Sequence, residues 1–330
     1  MARAGPERGR PFRVGRFGTL RAVPRTLNLD GDLIAIDCQM SGMDDLVAAY
    51  VVPGETVAVI ETGPATVAKN LTEGLASLGI GPEDVGYFVG SHIHLDHAGG
   101  AGDLVDVFPK ATIVVHTEGA RHMVDPEKLM KSAYRVFGPR LDELFGPLRP
   151  VPSDRLLAVD EGDRLDLGKG RYLNIYYAPG HARHHIAVQD SETGVLFVGD
   201  SMGVYLPEAG VVRPATPPPD FDLPLALQTL DRYRELDPSG LYLTHFGPAP
   251  TGGDLLARAR ERLVRFGDII RDALRESDDL DFLTERLIEQ TRDDYAEVWA
   301  DPKLQAKFES LNAFKSSAAG YLRYFQTQGS

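Results

Sequence analysis

With 330 residues, 43% hydrophobic and 25% charged, the chain is long enough for one large domain with an appendage and apolar enough to bury a sizeable core. No apolar run approaches the ~20 residues that a membrane-spanning helix needs, and a formal charge of −13 opposes broad binding to nucleic acid or to an anionic membrane. The single cysteine, Cys38, cannot close an internal disulfide, so no oxidising compartment is implied.

Residues 1–24 are rich in Arg, Gly and Pro and hold no apolar segment of the secretory type. They read as a flexible basic arm, and the expected location is the cytoplasm. Leu33–Ile36, Val47–Val52 and Thr56–Ile60 then read as short strands, with Pro53-Gly54-Glu55 turning between the last two. Val67–Leu78 predicts an amphipathic helix, with Val67, Leu71, Leu75 and Leu78 on one stripe and Gly79, Gly81 and Pro82 ending it. Val85–Gly90 is a short apolar strand that runs into Ser91-His92-Ile93-His94-Leu95-Asp96-His97-Ala98-Gly99-Gly100. A helix, a strand at Thr112–Val115 and a second helix follow. Residues 125–150 mix charge, aromatics, Pro and Gly. Strands return at Tyr172–Tyr177, Ile186–Gln189 and Val195–Val198. A Pro-rich loop, Arg213–Pro224, precedes a helix near Ala226–Leu236 and a strand at Leu241–Thr244. Residues 251–330 read as a helical C-terminal extension packed on the main body.

The densest chemical signal is His92-x-His94-x-Asp96-His97. A strand end places His92 and His94 on one side, because side chains alternate with period two, and a turn at Asp96-His97 aims two more groups at a neighbouring position. Four ionisable groups this close, beside apolar sequence, call for something that offsets their desolvation, and a metal ion does so. Imidazole with carboxylate suits zinc, iron or manganese rather than calcium. His181, Asp200 and His245 each follow an apolar strand, and polar residues just past strand C-terminal ends converge at one sheet edge.

In the order and spacing of these motifs, residues 25–250 resemble the metallo-β-lactamase superfamily. Val57-Ala58-Val59-Ile60-Glu61-Thr62-Gly63 is similar to its first motif, and His92, His94, Asp96 and His97 to its H-x-H-x-D-H motif. Pro179-Gly180-His181, Gly199-Asp200 and Thr244-His245 are similar to its third, fourth and fifth motifs. The resemblance implies an α+β fold, an αββα sandwich of the metallo-β-lactamase type, with the site along one edge. Residues 25–250 are then a metal-binding catalytic domain, followed by the helical extension 251–330. It also implies that His92, His94 and His181 hold one divalent ion, that Asp96, His97 and His245 hold a second, and that Asp200 bridges them. The ions are expected to be zinc, with iron or manganese as alternatives. The third motif departs from many relatives: Ala182 and His184 stand where Thr and Gly are usual, although His185 is kept. That departure bears on the hydrogen bonding around the ligands.

The activity implied is hydrolysis of a small ester, thioester or lactone, with a metal-bridging hydroxide as nucleophile and Asp96 shuttling its proton. An iron oxidoreductase of the persulfide dioxygenase kind and a nucleic-acid-processing hydrolase are the competing readings. The acidic balance opposes the latter. The partner expected is a small-molecule substrate, with no nucleic acid and no membrane, and the oligomeric state is left open, a homodimer included. Around the ligands, Tyr205 reads either as a donor to a developing oxyanion or as a packing residue. Arg183 reads as an anion holder or a surface group, and His184 as a surface or pocket residue. His116 reads as a structural or supporting residue, and His122 as exposed. Residues 125–150, with Tyr134 and Arg135 as candidate substrate contacts, read as a lid over the site or as a plain connecting helix.

Overall fold

In the computed structural model, which describes residues 24–249, 254–310 and 313–328, the apolar runs of the first half become a seven-stranded sheet. The expected N-terminal arm lies outside the described residues, its last residue apart. The strands are β1 (Thr26–Asn28), β2 (Ile34–Asp37), β3 (Ala48–Val52), β4 (Val57–Ile60), β5 (Val85–Val89), β6 (Thr112–His116) and β7 (Leu156–Val159), side by side in chain order. β1 to β4 form an antiparallel meander. β4 to β7 are parallel, which requires crossovers. These are supplied by α1 (Ala68–Ser77), then α2 (Leu95–Ala98) with α3 (Ala101–Val107), then α4 (Thr117–Val124), α5 (Glu127–Phe137) and α6 (Leu141–Leu144).

The second sheet is built from β8 (Arg164–Gly168), β9 (Arg171–Tyr177), β10 (Ile186–Asp190) and β11 (Val195–Gly199). A separate hairpin of β12 (Val204–Leu206) and β13 (Val211–Arg213) follows, then helix α7 (Leu223–Leu236), and the sheet is completed by β14 (Gly240–Leu243) and β15 (Gly247–Pro248). Its order is β15-β14-β11-β10-β9-β8. Among the described residues, five α-helices follow: α8 (Leu255–Ala273), α9 (Leu280–Thr291), α10 (Ala296–Ala300), α11 (Pro302–Glu309) and α12 (Ala313–Gln328). Among the described residues, no helix is long and apolar enough to cross a membrane.

Strand alternation explains the layering. Ala48, Tyr50 and Val52 of β3 face the second sheet and meet Leu173, Ile175 and Phe197, whereas Ala49 and Val51 face α1 and α3. In β11, Val195 and Phe197 point between the sheets, and Leu196 and Val198 point to the C-terminal helices. Strands covered on both faces read as continuous apolar runs rather than as alternating ones, which is why they were legible. The result is the αββα sandwich. Phe266, Tyr295, Phe308 and Tyr321 of the C-terminal region share one cluster with Leu196, Val198 and α7.

The strands the pattern did not reveal are β1, β7, β8, the β12–β13 hairpin and β15. They are two to five residues long, and exposed positions dilute the apolar signal in β7 and β8. The Pro-rich loop is shorter than expected at its end, because α7 starts at Leu223. Asp222 caps it, accepting from the Leu225 N–H at 3.0 Å, and Pro224 sits in the first turn, where its missing N–H costs no helical bond. Gly320 brings α12 against the loop: a Cβ there would overlap the Thr216 carbonyl.

Candidate metal centre

Five strand ends deliver the site. Glu61 follows β4, His92 and its neighbours follow β5, His181 follows β9, Asp200 follows β11 and His245 follows β14. Two glycines let the loops approach. Gly180, at φ +128°, lies so close to Ala226 that a side chain would overlap its backbone, and Gly199, at φ +51°, leaves room for Ser91 and His185. The structure brings His92, His94, Asp96, His97, His181, Asp200 and His245 together.

Three groups of donor atoms each fall within 4.8 Å of one another: His92, His94 and His181; His92, His97 and Asp200; and Asp96, His97 and His245. In the first group, His92 Nε2 and His94 Nδ1 are 2.8 Å apart, and His181 Nε2 is 3.2 and 3.1 Å from them. In the third, His245 Nε2 is 3.4 Å from Asp96 Oδ2. Asp200 faces both. Its Oδ1 is 3.5 Å from His97 Nε2 and 3.6 Å from His245 Nε2, and its Oδ2 is 3.8 Å from His181 Nε2.

The remote ring nitrogens determine which nitrogen keeps a lone pair. His181 Nδ1 donates to the Ala215 carbonyl at 2.8 Å, and His245 Nδ1 to the Leu46 carbonyl at 2.7 Å. His97 Nδ1 donates to Glu61 Oε1 at 3.1 Å. The Ser91 hydroxyl donates to the same oxygen at 2.5 Å and so accepts from His92 Nδ1 at 3.0 Å. Each of these histidines therefore turns its other ring nitrogen inward, where it offers a lone pair once any proton there is released, the arrangement that supporting hydrogen bonds create for metal ligands. His97 Nε2, His245 Nε2 and Asp200 Oδ1 are buried with no hydrogen-bond partner. Such orphans cost about 1–3 kcal/mol each, and a divalent cation supplies the partner all three lack. The donor set thus fits borderline ions of the zinc or iron type.

The charges divide the site. Burial, then the neighbouring imidazoles, hold His92 and His94 well below the usual histidine range. Burial also pushes His97 and His245 down, but the carboxylates outweigh it, Asp200 foremost, and both end above that range. Burial pushes Asp96 up, yet His97 and His245 draw it down to about 2. Loading the second cluster therefore displaces protons from His97 and His245.

Glu61 is the hub that sequence reading saw only as a motif residue. Its carboxylate also accepts from the Ser91 N–H at 3.2 Å and from the Thr244 hydroxyl at 2.8 Å, and it sits in the left-handed region at φ 71°. His185 accepts from the Asp200 N–H at 3.2 Å, so the retained histidine of the third motif holds the backbone of the residue that faces both clusters.

The clusters lie at the floor of a cavity of about 430 Å³. Helix α5 does lie over it, but Tyr134 and Arg135 point to solvent. Successive residues turn by about 100°, and the face toward the site is Leu129, Ala133, Phe137 with Lys128, Ser132 and Val136. Tyr205 is not brought to the site either. In β12 its neighbour Val204 lines the cavity, and Tyr205 points the other way into the C-terminal apolar cluster. Arg183 lies on the wall, exposed and held by Asp220 at 2.7 Å. His184 and His122 line the cavity, His184 buried and His122 partly so, in contrast to the exposed position expected for His122. His116 is structural: it caps α4 by accepting from the Glu118 N–H at 3.3 Å and stacks on Tyr177. Arg213, unremarked in the sequence, also lines the wall.

A profile of the metallo-β-lactamase superfamily matches residues 42–245. A metallo-β-lactamase fold-containing protein of Sulfurisphaera tokodaii is 30% identical over 206 residues, which are 62% of this chain and 74% of that one. Its crystal structure superposes with a TM-score of 0.58 at 29% identity, covering 71% of this chain and 85% of the other. A probable metallo-hydrolase of Bacillus subtilis is 27% identical over 242 residues, 66% of this chain and 72% of that protein. The crystal structure of a metallo-β-lactamase family protein from Thermus thermophilus shares the fold at a TM-score of 0.62 and 23% identity, covering 86% of this chain and 89% of the other. That share of this chain is too large to end before the C-terminal helices.

Proposed function

The chain belongs to the metallo-β-lactamase superfamily, and from that membership we propose that it hydrolyses a small ester, thioester or lactone with two divalent ions, zinc foremost. The observation that carries the proposal is the position of Asp200, one oxygen toward each donor cluster, at the floor of a cavity sized for a small molecule. In this reading His92, His94 and His181 hold one ion, Asp96, His97 and His245 hold the other, and Asp200 is shared. Ions so held supply Lewis-acid polarisation of the substrate oxygen and acidify water at neutral pH.

The protein's own groups do the rest. Asp96 lines the cavity and turns Oδ2 toward His245 and His97, which leaves its Oδ1 to take up and return a proton. Leu129, Val136, Phe137 and Phe145 exclude water from the bound acyl group. Residues 25–250 act as the catalytic domain. The extension 251–330 completes the wall with Ser316 and Ser317 of α12.

The test is elemental analysis of protein purified without added metal, followed by a panel of esters, thioesters and lactones. Two metal equivalents and hydrolysis lost on chelation are expected. A metal-replete protein that turns over no member of the panel refutes the proposal, and iron content with oxygen consumption assigns the site to redox chemistry instead.

A further inference from the structure

Arg213 closes β13 and is 3% exposed, yet it makes no ion pair among the described residues. A guanidinium carries five N–H donors. Here NH1 donates to the Pro214 carbonyl at 3.0 Å, and Nε is buried without a partner. The guanidinium carbon lies 5.2 Å from the centre of the Phe308 ring, which covers one face and offers the Nε–H no acceptor. Asp200 is the carboxylate whose charge reaches it, and Asp200 is engaged with His97, His181 and His245. Burial accordingly pushes the group down to about 10. Burying an unpaired charge is expensive, and the side chain lines the cavity, so what completes it is an anion that enters from there.

We infer that Arg213 is the binding site for a carboxylate carried by the substrate, and that the natural substrate is an amphipathic acyl compound with one such group beside an apolar part. A single buried guanidinium matches one negative charge, whereas a phosphate dianion would be half neutralised there. The other cations on the wall, Arg121, Lys128 and Arg183, are at its exposed side, and Arg183 is already paired with Asp220. The apolar part fits against Leu129, Val136 and Phe137.

This inference rests on reading the cavity as the substrate site, but its test does not need turnover. Binding of 4-phenylbutyrate and of its neutral amide, 4-phenylbutanamide, is measured calorimetrically on the metal-loaded protein and on Arg213→Met. The expected result is a preference for the carboxylate of roughly tenfold or more, which shrinks to within about threefold in the variant at equal metal content. Arg213→Gln, which can still donate to the Pro214 carbonyl, serves if the methionine variant does not fold. A wild-type protein with no preference, a preference that survives removal of the guanidinium, or equal weakening of both probes with loss of metal overturns the assignment. If the hydrolytic panel fails while the preference holds, the hydrolase proposal falls and the carboxylate site stands.

Discussion

Replacing Glu61 by glutamine tests whether the buried hub, rather than the ligands alone, maintains the metal centre. Glu61 Oε1 accepts from Ser91, Thr244 and His97 at 2.5, 2.8 and 3.1 Å, and Oε2 accepts from the Ser91 N–H. In the better of its two orientations, glutamine keeps an oxygen toward the first three donors but turns its NH2 against the Ser91 N–H. Three charge-assisted bonds become neutral ones, at about 1 kcal/mol each, and a buried N–H left unpaired adds about 1–3 kcal/mol. A loss of about 4–6 kcal/mol is a large share of the stability of an ordinary domain. His97 also loses the charge that orients its Nδ1–H, and supporting groups of this kind change metal affinity by about 10–100-fold. The first term is read by urea unfolding of metal-stripped protein, and the second by competition for zinc with a chromophoric chelator. Glu73→Gln, which removes an exposed carboxylate 3.5 Å from Lys69, is the control and should shift stability by less than about 1 kcal/mol. If Glu61→Gln folds with wild-type stability and wild-type zinc affinity, the carboxylate does not orient the site and the argument fails.

Asp200→Ala should lower the occupancy of both ions together, because its two oxygens face different clusters; loss of one equivalent with the other retained in elemental analysis would show that it serves a single site. Phe137→Ala should raise KM with metal content unchanged, while Tyr134→Ala, at a position 57% exposed, should leave steady-state kinetics within about twofold; the opposite ranking would mean that α5 presents its other face to substrate. Asp37 supplies a pH test. Burial pushes it up to about 6 against the pull of the Gln39 N–H and Arg25, so the folded state holds its proton longer than the unfolded chain does. Its contribution is therefore full below the ordinary carboxyl value of 3.8 and is lost as pH rises through about 6. Urea midpoints at pH 4.5 and 7.5 should shift in favour of Asp37→Asn as pH rises, and a difference that is flat or moves the other way contradicts the burial argument.

The candidate donors were readable because metal-binding chemistry demands particular residue types at strand ends, and the sandwich because doubly covered strands are continuously apolar. The remainder depends on direction and on distance along the chain. Glu61 meets Ser91, His97 and Thr244 across 30, 36 and 183 residues, and no local pattern ties an acid to partners so far away. On α5, composition drew attention to Tyr134 and Arg135, but helix phase decides which residues reach the cavity. The apolar row Leu129, Ala133, Phe137 was the signal for that phase, and the two candidates lie off it. Tyr205 failed for the corresponding reason in a strand, where one step along the chain reverses the side chain. Arg213 had no sequence signal, since a lone arginine before a Pro-rich stretch is ordinarily solvated. It becomes informative only when Phe308 of a distant helix covers it and its Nε finds no partner among the described residues. Ligands that recur in a fold can be recognised by their spacing, whereas a group that selects substrate stands out by what it lacks, and a missing partner is visible only after folding has shown which neighbours are present.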